Sequence, residues 1–277
     1  MNPALPPREL LLSAEDLVQP RGVEVAWGTA VVTTVRSPDK ETVNEDACLV
    51  LDLGDGAGLL AVADGCGGPP QGEVAAAAAL TTLRESLLQP PGEPTGWSTR
   101  VYSAFEAASA AVSALGGPCT TLSVVLLEDG AARPFHAGDS PILVFGQRGR
   151  RKLEVVAHSP TAYAVEAGFL VEEEAMLHED RHVVLNALGA EGARIDIGAP
   201  VRLNPRDTVV VASDGLSDNL YSEEIVGLLR AGPVGAGLAS AAALCAERMA
   251  QEGGDRLGHA DDLTVLAFRA AITSERS

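Results

Sequence analysis

Short apolar runs recur along the chain, and their order constrains the fold more than any other feature of the sequence. Each run has four to seven residues, is rich in Val, Leu and Ala, and is mostly bounded by Gly, Asp or Pro. This pattern is typical of buried β-strands. The predicted strands are residues 30–35, 47–53, 59–63, 122–127, 142–145, 153–156, 208–212 and 263–268.

Segments of helical composition separate these runs into groups. The predicted helices are residues 72–88, 98–115, 225–229 and 233–251. Because the strands cluster instead of alternating regularly with helices, their order favours an α+β architecture over a doubly wound sheet. The turn between the first two helices is too short to separate domains, so we expect a single domain at residues 23–277, preceded by a Pro-rich arm at residues 1–22.

The balance of charge excludes several classes of partner. Acidic residues outnumber basic ones by 38 to 20, which gives a formal net charge of −18 and a pI near 4.6. Nucleic acids and anionic membranes attract basic surfaces, so we expect neither as a partner.

No apolar run reaches the roughly 18 residues of a transmembrane helix, and the first residues lack a signal-peptide pattern. The four scattered cysteines predict no zinc finger or disulfide framework, and fit a cytoplasmic location.

Carboxylates stand at the ends of several predicted strands. A single Asp-Gly pair is more often a turn than a ligand, but neighbouring strands would bring the whole set into one acidic cleft. Such carboxylates repel one another unless a cation neutralises them. Mg²⁺ and Mn²⁺ take oxygen ligands from carboxylates and carbonyls. The residues concerned are Glu45, Asp46, Asp64, Asp139, Asp214, Asp218 and Asp261.

Short motifs around these carboxylates follow a specific order. They are NED at 44–46, ADGCGG at 63–68, TTL at 120–122, HAGDS at 136–140, SDGLSD at 213–218 and DDLT at 261–264. In this order they resemble the metal-dependent Ser/Thr protein phosphatases of the type 2C (PPM) family, in their bacterial form. The resemblance covers about residues 27–269. It implies an αββα four-layer sandwich of two antiparallel sheets flanked by helices.

The resemblance also implies a site for two Mn²⁺ or Mg²⁺ ions. Asp64 would bridge both ions, and the Gly65 carbonyl would bind one of them. Asp214 and Asp261 would complete the protein ligands of the other ion. Water between two cations has a lowered pKa, so hydroxide is available near neutral pH to attack the phosphorus of a phosphomonoester.

Further residues would act around these two ions. Glu45 and Asp46 would act through metal-bound waters. Asp139, together with the residue at position 214, would hold a third and weaker ion. Asp218 would orient water near the site. The catalytic residues implied in this way are Asp46, Asp64 and Asp218.

The implied activity is hydrolysis of phosphoserine and phosphothreonine in proteins. A Ser/Thr kinase would supply the phosphorylated protein substrate, and the enzyme would act as a monomer. Two alternatives stay open at this point. A catalytically weak phosphatase-like domain could serve as a regulatory or binding module. An Asp-rich Ca²⁺-binding protein is the other alternative, although the sequence lacks the D-x-D-x-D-G loop with its closing Glu.

The chain departs from the family pattern where substrate phosphate is usually gripped. Glu41 stands at the position of the usual Arg, which leaves Lys40 and Arg36 as candidate phosphate-binding residues. Lys offers a point charge, whereas Arg offers a bidentate fork. Asp262 replaces the usual Asn and is expected to add negative charge beside the ions. Cys66 is interpreted as a small packed side chain.

An acidic segment at residues 159–181 corresponds to the flap of bacterial family members. Its charge indicates either a lid that disfavours acidic peptides or a solvated helix face. Histidines at positions 158, 178 and 182 surround it without an HExxH pattern, so we interpret them as surface residues.

Overall fold

The computed structural model describes residues 8–38, 40–66, 71–90, 93, 95–251 and 258–271. Residues 67–68 of the ADGCGG motif and residues 1–7 of the predicted arm lie outside this part of the chain. The strands are β1 (Glu9–Ser13), β2 (Leu17–Val25), β3 (Gly28–Val35), β4 (Asp46–Gly54), β5 (Ala57–Cys66), β6 (Cys119–Thr120), β7 (Leu122–Glu128), β8 (Ala131–Ala137), β9 (Ile142–Phe145), β10 (Arg151–Glu154), β11 (Asp196–Ile197), β12 (Val201–Arg202), β13 (Thr208–Ala212) and β14 (Leu263–Ala270). The helices are α1 (Gly72–Leu88), α2 (Trp97–Ser113), α3 (Pro160–Glu166), α4 (Glu172–Met176), α5 (Asp214–Ser217), α6 (Ser222–Leu229) and α7 (Val234–Met249).

The strands form two antiparallel sheets. The first sheet has the order β1-β4-β5-β7-β8-β11, with β6 paired to β5 and β12 paired to β8. The second sheet has the order β10-β9-β13-β14-β3-β2. In the first sheet Asp46 lies directly opposite Asp64, and in the second Ala212 lies opposite Val265. Each sheet therefore brings the ends of two strands that carry carboxylates together at one end of the sheet.

Alternation along the strands explains how the layers pack. In β4, Leu49 and Leu51 pack in a hydrophobic cluster with α1 and α2, whereas Cys48 and Val50 pack against the second sheet. Successive side chains of a strand point to opposite faces, so β4 is buried on both. The outer face of the second sheet packs on α6 and α7. The predicted αββα sandwich is confirmed.

The predicted N-terminal arm differs from the structure. Residues 9–25 form β1 and β2, which are edge strands of the first and second sheets. β2 contains Pro20, and an edge strand tolerates proline because one side of its backbone needs no ladder partner. Both strands belong to the sandwich, so the arm prediction is wrong over these residues.

The segment predicted as a flap connects β10 of the second sheet to β11 of the first, and it contains α3 and α4. The Ser159 Oγ atom accepts a hydrogen bond from the Ala162 backbone N (3.2 Å) and caps α3. The Glu172 carboxylate accepts a bond from the Ser222 backbone N (2.7 Å), which ties α4 to α6.

Among the described residues, none of the helices has the length and apolar character needed to cross a bilayer.

Candidate metal centre

The ends of β4 and β5 position the first two carboxylates. Asp46 and Asp64 are directly opposed in register, which places their Cβ atoms about 4.5–5.5 Å apart. The Asp64 carbonyl accepts bonds from the Thr121 backbone N (2.8 Å) and from Thr120 Oγ1 (2.8 Å), which fix this end of β5. Asp46 is buried, and its Oδ2 atom accepts a bond from Ser213 Oγ (2.7 Å). Ser213 follows β13, so this bond joins the two sheets at the site.

Close backbone packing beside Asp64 requires glycine at two positions. A Cβ atom on Gly65 would lie 2.3 Å from the carbonyl group of Gly72. A Cβ atom on Gly72 would lie 2.7 Å from the Gly65 carbonyl oxygen and 2.9 Å from Glu45 Oε1. Because neither glycine has a side chain, the start of α1 reaches the strand end. The Glu45 carboxylate and the Gly65 carbonyl therefore lie beside the same glycine.

The second sheet supplies further carboxylates from two paired strands. Asp214 begins α5, two residues after the end of β13, and Asp261 lies two residues before the start of β14. Since β13 pairs with β14, both carboxylates lie at the same end of the sheet. The Asp218 backbone N donates to the Asp214 carbonyl (2.8 Å), which places these two residues one helical turn apart. Asp139 follows β8 and is buried.

Burial and mutual repulsion raise the pKa values of the clustered aspartates. The pKa of Asp46 rises to about 7 because of burial, with repulsion from Asp262 and Asp214 adding to it. Burial and then Asp214 raise the pKa of Asp139 to about 8. Burial, then Asp214 and Asp46, raise the pKa of Asp261 to about 9. The pKa values of three more carboxyl groups are raised with burial as the first cause: Asp64, Asp214 and Asp218.

Three oxygens of this cluster are buried without a hydrogen-bond partner among the described residues: Asp46 Oδ1, Asp139 Oδ1 and Asp214 Oδ1. An unpartnered buried carboxylate oxygen is costly, and a cation removes that cost. The donors gathered here are carboxylate and carbonyl oxygens, which Mg²⁺ and Mn²⁺ prefer. The site therefore fits hard divalent cations.

The two phosphate-binding candidates are both engaged in ion pairs. Lys40 Nζ donates to Asp262 Oδ2 (2.6 Å) and to Glu45 Oε2 (2.7 Å). Asp262 also accepts two backbone N–H bonds, of 2.6 and 2.7 Å. The negative charge that the sequence predicts at this position is therefore present, but Lys40 balances it. Arg36 is half-exposed and pairs with Asp16 (Nε–Oδ2 3.2 Å).

Arg181 is a cationic residue of the site that the sequence reasoning did not single out. It lines a cleft below α3 and α4 together with Asp139, Asp214 and Asp218. Its charge acts to lower the pKa of Asp218, against the larger effect of burial. The Arg181 Nη2 atom also lies 3.4 Å from His259 Nδ1. The only sequence signal was a basic residue at the end of an acidic segment.

A cluster of two histidines and an aspartate contacts the backbone at Gly138, the residue before Asp139. His158 is buried, which corrects its assignment to the surface. Its Nδ1 atom accepts a bond from the Gly138 backbone N (3.0 Å), and its Nε2 atom lies 3.1 Å from Asp196 Oδ2. His136 stacks on it with ring centroids 4.5 Å apart and planes 16° apart. Potential ligand atoms of the three side chains lie within 4.8 Å of one another, but lone pairs in two parallel ring planes do not converge on one point. The cluster instead fixes the backbone next to Asp139.

Two antiparallel sheets between helices, with oxygen ligands for hard cations and a cleft at one end, fit a metal-dependent hydrolase. The family profile described as Protein phosphatase 2C matches residues 37–256. The chain therefore belongs to the protein phosphatase 2C family, as the order of its motifs predicts.

Relatives with known names agree with this membership. A protein described as protein phosphatase 2C-type from Streptococcus pyogenes is 31% identical over 198 residues, which cover 69% of this chain and 80% of that protein. The crystal structure of the PPM Ser-Thr phosphatase MsPP from Mycobacterium smegmatis, in complex with cacodylate, is similar with a TM-score of 0.71 and 25% identity, over 87% of this chain and 98% of that one. The catalytic domain of the phosphatase PstP, solved with two manganese ions, shares the fold with a TM-score of 0.67 and 24% identity, over 87% of this chain and 97% of that one.

Proposed function

We propose that this chain hydrolyses phosphoserine and phosphothreonine in proteins, in a reaction that depends on divalent metal. The convergence of buried aspartates from both sheets, with three unpartnered oxygens, carries the proposal. Membership of the protein phosphatase 2C family supports the reaction type. The Ser-Thr phosphatase name of the M. smegmatis relative supports the substrate class. The two manganese ions of PstP support a pair of Mn²⁺ or Mg²⁺ ions as cofactors.

The proposed ligands follow the places of the side chains in the two sheets. In the first sheet, a carboxylate and a carbonyl from adjacent residues of β5 would hold the ions, and in the second, carboxylates beside β13 and β14 would do so. Two acidic residues where β4 begins would act through water, and one residue after β8 would serve a third ion. In that order they are Asp64 and Gly65, Asp214 and Asp261, Glu45 and Asp46, and Asp139.

When bound, the ions supply a water of lowered pKa and neutralise charge on the phosphate oxygens. The protein side chains orient this reaction. Asp218 lies one turn from Asp214 and lines the same cleft as Asp139 and Asp214, so its carboxyl group would orient water near the ions. The hydrogen bond from Ser213 fixes the orientation of Asp46.

Arg181 is the proposed phosphate-binding residue of the cleft. Its guanidinium group lines the same cleft as Asp139 and Asp218 and suits bidentate contact with a phosphate, whereas Lys40 is held by two carboxylates. Replacing it with Ala should raise KM for a phosphothreonine peptide about tenfold or more, since a charge-assisted contact contributes about 1.5–3 kcal/mol. The affinity for Mn²⁺ should not fall. Arg36→Ala is the matched control, and an equal rise of KM in both variants would contradict this role.

One assay tests the proposed function. Hydrolysis of p-nitrophenyl phosphate and of a phosphothreonine peptide is measured with Mn²⁺, with Mg²⁺ and with a chelator. We expect turnover with metal and none with the chelator. A protein that binds Mn²⁺ but turns over neither substrate would instead support the phosphatase-like regulatory module.

The proposed setting is a reducing cytoplasm in which a Ser/Thr kinase phosphorylates the substrates and the enzyme acts as a monomer. The four cysteines are free thiols, which fits that compartment. The acidic charge of the chain argues against nucleic acid and anionic membrane as partners. Size-exclusion chromatography with light scattering tests the oligomeric state.

A further inference from the structure

Two cysteines face each other at the strand end that carries Gly65. Cys66 of β5 and Cys119 of β6 are directly opposed in antiparallel register, and their Sγ atoms lie 3.0 Å apart. The Cα atoms of such pairs are roughly 4.5–5.5 Å apart, within the roughly 4.4–6.8 Å that a disulfide spans. We propose that hydroperoxides oxidise Cys66 and Cys119 to an intramolecular disulfide, and that this disulfide weakens metal binding at the neighbouring Gly65 carbonyl.

The other two cysteines are placed differently. Cys48 is buried between the sheets, and Cys245 lies on α7 and is buried against the second sheet. Burial raises the pKa of each thiol to about 12. Cys66 and Cys119 are only half-buried, so a small oxidant reaches them. The Cys119 thiol also donates to the Cys66 carbonyl (Sγ–O 2.8 Å), which holds the two side chains against each other. Reaction with peroxides needs access to the sulfur, and access favours this pair.

The oxidation has two steps. The Cys119 thiolate attacks one oxygen of hydrogen peroxide and the O–O bond breaks. Hydroxide is the leaving group, and Cys119 becomes a sulfenic acid. The Cys66 thiol then attacks that sulfur, the S–O bond breaks, and water leaves with the thiol proton. In total, two thiols and one peroxide give one disulfide and two waters. A dithiol reductant reverses the reaction by exchange.

One peptide group links the disulfide to the metal centre. The Gly65 carbonyl and the Cys66 nitrogen belong to the same planar unit. Bond formation shortens the Sγ–Sγ distance from 3.0 Å to about 2.05 Å and pulls on the Cys66 backbone, whereas metal sites keep their ligand distances within about 0.2 Å of ideal values. The Gly65 backbone also packs tightly against Gly72, which limits its adjustment. The effect on metal binding, though not the disulfide itself, rests on the proposed function.

Thiol counting on the metal-free chain tests the disulfide. Hydrogen peroxide should consume two of the four thiols and lower the mass by two hydrogens, and dithiothreitol should restore both. The melting temperature should rise by about 5 °C or more, because the bridge closes a loop of more than fifty residues. Cys119→Ser should show no disulfide, and the control Cys245→Ala should behave like the parent. Retention of all four thiols, or the same change in Cys119→Ser, would overturn the proposal.

Calorimetric titration with Mn²⁺ tests the coupling without measuring turnover. Oxidised protein should bind Mn²⁺ at least about fivefold more weakly than reduced protein, within the usual range of coupling between two sites. Peroxide-treated Cys119→Ser should bind like reduced protein. Equal affinity in the two redox states would overturn the coupling. If neither state binds Mn²⁺, the proposed function fails together with the coupling, while the thiol count and the melting shift still report the disulfide.

Discussion

Asp261 and Asp262 are neighbours in the chain and lie in opposite electrostatic surroundings. Burial, Asp214 and Asp46 together raise the pKa of Asp261 to about 9. Asp262 accepts a bond of 2.6 Å from Lys40 and two from backbone N–H groups. Successive residues entering a strand point in opposite directions, so one carboxylate joins a cluster of like charges and the next meets a cation.

This difference separates two uses of negative charge within one acidic chain. A carboxylate with a cation of its own protein contributes to the folded structure at any metal concentration. Clustered carboxylates without one are held as neutral acids or by a cation from solution. The two groups should therefore respond differently to metal, to pH and to substitution.

The largest expected effect comes from removing a charge of the proposed metal centre. Asp64→Asn should lower kcat/KM more than about 100-fold, because even partners one step removed from a metal contribute about 10–100-fold. Its melting temperature without metal should stay equal or rise, since one of several repelling carboxylates is gone. Phosphatase kinetics and calorimetric Mn²⁺ titration measure the two effects.

Asp55→Asn is the matched control for that variant. Asp55 lies in the exposed turn between β4 and β5 with a φ of +50°, a conformation that Asn tolerates. This control should retain activity and Mn²⁺ affinity. Full activity in Asp64→Asn would remove the central assignment of the site.

The next effect is a pH dependence of stability in metal-free protein. The folded pKa values of Asp46, Asp139 and Asp261 are about 7, 8 and 9, above the unfolded value of about 3.9. The folded state then binds more protons than the unfolded state. The contribution of these three groups to the free energy of unfolding is therefore fully present below about pH 4 and is lost as pH rises towards about 9. Metal needs the ionised carboxylates. The rise in melting temperature on adding Mg²⁺ should therefore be larger at about pH 8.5 than at about pH 6.

Asp139→Asn provides a check on that dependence. It removes one titrating group, so the metal-free melting temperature should fall less steeply with pH than in the parent. An unchanged slope, or a Mg²⁺ effect that does not grow with pH, would contradict the raised pKa values.

The strand β4 was accessible from the sequence because it is buried on both faces, whereas β8, which is also buried on both but contains Arg133 and Pro134, was not predicted. The run at residues 47–53 corresponds to β4, observed at Asp46–Gly54, because apolar residues fill both of its sides. The two edge strands gave no comparable signal. β2, with the sequence LVQPRGVEV, carries polar residues, Pro and Gly, which an edge position permits and a pattern of apolar runs does not detect.

The convergence of the carboxylates in the candidate site could be predicted for those residues that lie at strand ends. The motif order brought Asp46, Asp64 and Asp214 into one hypothesis, and the structure places them at one end of the sandwich. Partners distant in sequence were not accessible in this way. The pairing of Lys40 with Asp262 joins residues 222 positions apart, and Arg181 reaches the cleft only through the path of the α3–α4 segment.

Lys40→Met should give a smaller effect, measured as a change in stability. The change keeps the aliphatic stem and removes the cation from Asp262, whose side chain is only 3% exposed. We expect a loss of about 2 kcal/mol in the free energy of unfolding, because a buried carboxylate loses a charged partner. Arg36→Met is the control, since its pair with Asp16 is more exposed, at 47% and 30%, and should cost at most about 0.5 kcal/mol. Urea unfolding without metal measures both, and equal losses would contradict the contrast.

A similar effect should come from Asp262→Asn. Asn keeps an acceptor for the Ser37 N–H, which bonds Oδ1, but it places an NH2 group where Oδ2 accepts from the Glu45 N–H and from Lys40. Lys40 retains Glu45 at 2.7 Å, whereas the Glu45 N–H loses its acceptor, so we expect a loss of about 2 kcal/mol. The double variant with Lys40→Met should lose less than the sum of the single variants, because each change removes the same interaction. Strict additivity would show that Lys40 and Asp262 do not stabilise each other, and the contrast between Asp261 and Asp262 would then rest on burial alone.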